Sequence, residues 1–145
     1  VVIHYKLQVD EMFESESRVY NIFISHIGQN EDEYNTFTEK LAAAHDFEFK
    51  NYGILEKDKI TGEELQEQIM PVGIVIILSG LYNKYKDIIN KQIDIANKLE
   101  KPIIVIRPYG MENVPPELED VAADIVGWNA PCIVDAIVEN YLEQF

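Results

Sequence analysis

The sequence predicts an α/β protein built on a doubly wound parallel sheet, because short apolar runs alternate along it with amphipathic stretches of helical period. Two details sharpen this. The run at residues 73–78 is apolar throughout after its glycine, as a strand covered on both faces must be. There are five such runs, each followed by a stretch of helical pattern, so five βα units are expected in the sheet order 2-1-3-4-5 with residues 73–78 at the centre.

The first strand is predicted at residues 20–25 and ends in Ser25-His26-Ile27-Gly28. A helix over about 32–45 follows; Glu31, Asp32 and Glu33 lie at its start, where carboxylates suit the positive end of the helix dipole. The second strand spans 47–52, and the loop from Gly53 to Ile60 leads to a short helix. Thr61-Gly62-Glu63-Glu64 has the spacing of a capping box, and Pro71 sets the end of that helix. After the third strand, Ser79-Gly80 opens onto a helix over 85–99. The fourth strand is expected at 102–106, loops at 107–110 and 114–117, and a short helix to about 123. The fifth strand is placed at 125–128 and the closing helix at 131–142.

Residues 1–19 stand apart from the domain at 20–145. Ile3, Tyr5, Leu7 and Val9 alternate with His4, Lys6 and Gln8 as in a half-buried strand, and residues 10–17 are acidic and loop-like. An added edge strand, a contact with a second copy and a passive tail all remain open.

The chain of 145 residues is the size of one domain and buries about two-thirds of its unfolded surface without metals or disulfides. Twenty-six acidic against twelve basic residues give a net charge of -14, with no basic cluster to offset it. This disfavours nucleic acid and anionic membrane surfaces as partners. Cys132 is the only cysteine, so neither a disulfide framework nor a thiolate zinc site is expected, and a reducing cytosol is the simplest location. No apolar run reaches transmembrane length, and the first residues are too polar for a secretory leader.

One polar residue interrupts an apolar stripe. On the helix at 85–99, Tyr85, Ile88, Ile89, Ile95, Ala96 and Leu99 share a face with Gln92, and Lys86, Asp87, Asn90, Lys91, Asp94 and Lys98 take the other. A buried amide without partners costs roughly 1–3 kcal/mol, so Gln92 is either a satisfied core glutamine or a residue facing a cleft. In this architecture ligands bind beyond the carboxyl ends of the strands where the order reverses, between strands one and three. That places Ser25, His26, Ser79, Tyr82, Tyr85 and Gln92 around one crevice, with the 53–60 loop as a wall.

Other uses of the architecture fit poorly. A phosphorylatable receiver needs carboxylates at the ends of strands one and three to hold Mg²⁺, where this chain has Ser25-His26 and Ser79-Gly80. The loop Ser25 to Asn30 is only weakly like the phosphate loop of a flavodoxin. Walker A, dinucleotide glycine, metal-ligand and nucleophile-elbow patterns are absent from the sequence.

Several strings in order resemble the TIR-like domains of bacterial anti-phage defence, in particular the TIR-like signalling subunit of Thoeris systems. They are Tyr20-Asn21-Ile22-Phe23-Ile24-Ser25-His26, Ile77-Leu78-Ser79-Gly80-Leu81-Tyr82, Tyr85-x-Asp87-Ile88-Ile89 with Ile93-Asp94-Ile95-Ala96, Lys101-Pro102-Ile103-Ile104, Pro108-Tyr109-Gly110, and Ile125-Val126-Gly127-Trp128-Asn129 with Ile133-Val134-Asp135-Ala136-Ile137. The resemblance spans roughly residues 20 to 138. It implies a flavodoxin-like fold and an NAD⁺ glycohydrolase or cyclase, with NAD⁺ as substrate and no permanently bound cofactor or metal. The product would be an ADP-ribose-derived messenger that activates an effector protein after a phage-derived trigger, and self-association is implied as well.

The family pattern carries a tryptophan where this chain has Ile88 and its catalytic glutamate where this chain has Gln92. The implied consequence is a chain inactive or crippled as written, whether by an inactivating substitution that retains bound nucleotide or as a natural non-hydrolysing variant. A non-catalytic interaction or nucleotide-sensing module is the alternative. Ser25 and His26 are candidates for phosphate or ribose contacts, the amides after Gly28 for the pyrophosphate, and Phe23, Tyr52 and Ile54 for the base or nicotinamide pocket. Structural roles compete for several of these: Phe23 as core, His26 as an exposed histidine. Trp128 is expected to pack under the last strand, His45 to neutralise a helix end, Cys132 to be a packed small residue, and Lys84, Lys86 and Lys91 to form a solvated face.

Overall fold

The computed structural model describes residues 18–26, 31–53, 61–108, 110 and 113–143. Its five strands are β1 (Val19–Ile24), β2 (Glu48–Asn51), β3 (Ile74–Leu78), β4 (Ile103–Ile106) and β5 (Asp124–Val126). All pairings are parallel and the order is β2-β1-β3-β4-β5, so β3 is central as its apolar run requires. Ile22 pairs with Ile74, Val75 with Ile103 and Ile106 with Val126. The whole of β3 and β4 is buried.

The helices are α1 (Asp32–Ala42), α2 (Gly62–Ile69), α3 (Lys86–Lys98), α4 (Pro116–Val121) and α5 (Ala130–Asn140). α1 packs beside α5 and α2 beside α3, the pairing expected of helices covering opposite faces of a sheet. The capping box forms as read: Thr61 Oγ1 accepts from Glu64 N at 3.1 Å, and Glu64 Oε1 accepts from Thr61 N at 3.1 Å. α5 is capped by Asn129, whose Oδ1 accepts from Cys132 N.

Boundaries shift for local reasons. α1 stops three residues before the expected end, because the chain turns through Asp46 in the left-handed region (φ 55°) to enter β2. His45 therefore lies beyond the helix, solvent-exposed and 3.1 Å from Asp46, and does not neutralise the helix end. β5 begins one residue early and ends at Val126, since the last ladder bond available beside β4 is Arg107 N to Val126 O. α5 ends at Asn140, and the following residues return to the sheet. There Tyr141 OH accepts from Asn21 N, Leu142 N donates to Gly73 O, and Arg18 lies over the rings of Tyr20 and Tyr141. Gly73 is required here, because a side chain would overlap the Tyr141 ring. Cys132 is exposed rather than packed.

The buried line of α3 is Ile89, Gln92, Ile93 and Ala96. Ile88, expected on the stripe, is 43% exposed, while Tyr85, Ile95 and Leu99 pack only partly against the core. The expected stripe was too wide on one side and lacked Ile93 on the other. The extended segment expected at residues 3–9 lies outside the described residues.

Candidate functional site

β1 and β3 are neighbours, but the helices that follow them belong to different packed pairs. The chain parts above Ile24 and Leu78, and this is the switch point at which such sheets bind ligands. Ile54 and Gly28, both expected here, lie outside the described residues.

Gln92, in the second turn of α3, crosses this point and is 3% exposed. Its Oε1 accepts a hydrogen bond from Ser25 Oγ, and its Nε2 donates to the His26 backbone carbonyl at 2.9 Å. Both ends of the amide are used, as burial demands. Ser25 N continues the ladder by donating to Ile76 O at 2.8 Å. Gln92 thus clamps the helix that follows β3 to the end of β1.

His26 is buried, and its ring lies 6.2 Å from that of Phe23 and 5.9 Å from that of Tyr34. Gly53 closes the space behind it: a Cβ there would stand 3.3 Å from His26 Cδ2 and would overlap the Ile24 carbonyl. His26 Nε2 has no hydrogen-bond partner among the described residues. Burial lowers the imidazole pKa from 6.5 to about 4, so the ring is neutral at pH 7. Asn51 supports this corner. Its Oδ1 accepts from Ile24 N (3.1 Å) and Gly53 N (2.9 Å), and its Nδ2 donates to Tyr34 OH (2.9 Å). Burial raises the Tyr34 phenol pKa, and the bond from Asn51 opposes that rise.

On the other side, Tyr85 OH donates to Glu31 Oε1 at 2.5 Å, and Lys84 Nζ is 3.6 Å from the same oxygen. The Lys84 pKa is raised, first by its hydrogen bond with Tyr85 and then by the charge of Glu31. Glu33 folds over Gly80, where any side chain would overlap its carboxylate. A cavity of ≈ 360 Å³ opens beside it, lined by Asp32, Glu33, Thr36 and Trp128.

Of the residues expected around the crevice, Ser25, His26 and Gln92 come together and Tyr85 bounds the same region through Glu31. Two turn inward: Ser79 Oγ donates to Ile106 O at 2.7 Å, and the buried Tyr82 donates to Asn90 Oδ1 at 2.8 Å. Phe23 is fully buried in the core, and Tyr52 stands at the end of β2 with Lys50 Nζ 4.7 Å from its ring centroid. Trp128 follows β5, meets Phe37 edge-on and donates from Nε1 to Arg107 O at 2.7 Å. Sequence reasoning missed Asn51 as part of this region, for which a polar residue closing strand two was the available signal. Gly80 lies in the 78–85 loop expected at the crevice, and Glu33 was read only as a carboxylate at the start of α1.

A parallel sheet in the order 2-1-3-4-5 with helices on both faces defines a flavodoxin-like α/β domain, an architecture consistent with a TIR-like domain. Over residues 23–113 the chain matches the family described as Thoeris protein ThsB, TIR-like domain. The chain belongs to this family, and a TIR-like role in Thoeris defence follows. No curated protein matches it. Among the described residues no helix is long and apolar enough to cross a membrane, and no group of three or more His, Cys, Asp or Glu is placed to hold a metal ion.

Proposed function

We propose that the crevice binds NAD⁺ or an ADP-ribose-like nucleotide, and that with an amide at position 92 the chain retains this ligand with little or no turnover. With a carboxylate there, the domain would act in the cytosol as an NAD⁺ glycohydrolase or cyclase, and its messenger would activate an effector protein after a phage-derived trigger. One observation supports this reading: Gln92, which the resemblance matches to the family's glutamate, is buried at the switch point against Ser25 and His26.

The chemistry accounts for the effect of the amide. Nicotinamide leaves as a neutral molecule, taking the electron pair of the C1′–N bond, so no general acid is needed. The barrier lies in the positive charge left on the ribose. A carboxylate balances that charge and accepts hydroxyl protons, whereas an amide brings no charge. Losing one preorganised group of this kind commonly costs on the order of 10²–10³ in rate. The test is mass spectrometry of nucleotides after incubating wild type and Gln92→Glu with NAD⁺, in the presence of the cognate trigger. Nicotinamide release that rises on the order of a hundredfold in the variant supports the reading.

A second reading, a non-catalytic interaction module, is favoured by the full satisfaction of Gln92 inside the domain. Under it, Gln92→Glu lowers the melting temperature and leaves NAD⁺ untouched, and ADP-ribose gives no heat of binding.

A further inference from the structure

The cavity between α1 and the segment after β5 is lined by none of the residues of the Gln92 clamp. Asp32, Glu33 and Thr36 line it from the first turns of α1, and Trp128 lines it from beyond β5. The indole is held on two sides, by its Nε1 bond to Arg107 O and by edge-on contact with Phe37 at 5.6 Å and 88°. Glu33 is positioned too, since only the missing side chain of Gly80 leaves room for its carboxylate. The cavity's ≈ 360 Å³ is near the lower end of the ~300–1,000 Å³ typical of small-molecule sites.

These four side chains select by chemistry. Two carboxylates in a domain of net charge -14 repel anions. A bare metal ion finds too few ligands, as no group of three or more His, Cys, Asp or Glu gathers among the described residues. An organic cation, by contrast, places its apolar surface against the indole and its charge beside the carboxylates. We propose that this cavity is a binding site for a small organic cation of the pyridinium or quaternary ammonium class. Trp128 supplies the aromatic wall and Glu33 the charge. The cation is a free solute, since a dinucleotide brings anionic phosphates that these carboxylates repel.

Trp128 is the single tryptophan of the chain, so its emission reports on this cavity. The full chain is titrated with 1-methylnicotinamide and tetramethylammonium as cations and with nicotinamide as the neutral control. The expected result is a saturable change for the cations and only linear collisional quenching by nicotinamide. Glu33→Gln should weaken cation binding roughly fivefold and leave the nicotinamide response as it was. If that variant does not fold, Asp32→Asn removes the other, more exposed carboxylate and should weaken cation binding in the same direction. Equal, unsaturable quenching by cation and neutral ring overturns the proposal, as does unchanged cation affinity in a folded carboxylate variant. Calorimetry with ADP-ribose, which carries no pyridinium, tests the crevice separately, so either site can fail without the other.

Discussion

Replacing Gln92 by glutamate sets two demands on one buried atom. In the wild type Nε2 donates to the His26 carbonyl at 2.9 Å, while Oε1 accepts from Ser25 Oγ. A glutamate keeps the second bond, but an ionised oxygen then faces the carbonyl oxygen, and at 3% exposure there is little water to separate them. Loss of that hydrogen bond and desolvation of the charge cost on the order of 1–3 kcal/mol, or roughly 3–10 °C in melting temperature for a domain of this size. Protonation relieves the conflict, because a carboxylic acid donates to His26 O as the amide does. The folded-state pKa of the introduced carboxyl group is therefore raised above the unfolded value of about 4.3. Above that unfolded value the native state binds more protons than the unfolded chain, so stability falls as pH rises. The loss grows from about pH 4.3 up to the raised pKa and is constant beyond it. Thermal melts of variant and wild type at intervals from about pH 4.5 to 8 measure this difference. A gap that is constant across the range, or widest at the acid end, would refute the reasoning. Nicotinamide release by the variant should rise over the same interval, since only the ionised form balances the ribose charge.

Other perturbations follow from the same geometry. Ser25→Ala removes the donor to Gln92 Oε1 and should cost about 1–2 kcal/mol in urea unfolding, and the double variant with Gln92→Leu should cost less than the two singles added together. His26, held neutral by burial with a pKa near 4, leaves the unfolded chain binding the extra proton below about pH 6.5. Stability should thus fall by up to about 3 kcal/mol between pH 6.5 and 4, and His26→Gln should flatten that slope. Gly53→Ala should lower the melting temperature more than Gly80→Ala. The first meets the backbone carbonyl of Ile24, the second only the flexible end of Glu33.

The sheet was legible because burial on both faces leaves little choice of residue: β3 reads Ile-Val-Ile-Ile-Leu and could only be central. The Thr61 to Glu64 box was legible because two reciprocal bonds fix both residue types and their spacing. Gln92 stood out for the opposite reason, as a polar residue where burial was expected. The phase of α3 was less clear, because Ile88 and Ile93 lie at the margins of the apolar face, and tertiary packing decides which is covered. Side-chain direction was the main blind spot at the site. Ser79 and Tyr82 occupy the expected positions in the chain, but their hydroxyls satisfy internal acceptors. Glu33 was hidden by a sufficient local explanation, since an acidic first turn needs only the helix dipole.

The two helices leaving the switch point each reach back to the strand end that precedes the other. α3 sends Gln92 to Ser25 and His26 at the end of β1, and α1 sends Glu33 over Gly80 after β3, while the Tyr85 to Glu31 bond ties the two chain segments together. An amide at position 92 strengthens this brace, because it donates to one partner and accepts from the other. A carboxylate there releases the His26 carbonyl and leaves two acceptors facing the same space. A ribose diol, with two hydroxyl protons to give, is the kind of group that would satisfy both. Under the proposed function, the residue at 92 would set a balance between internal stability and ligand recognition, the exchange expected where a functional charge is placed at a buried position.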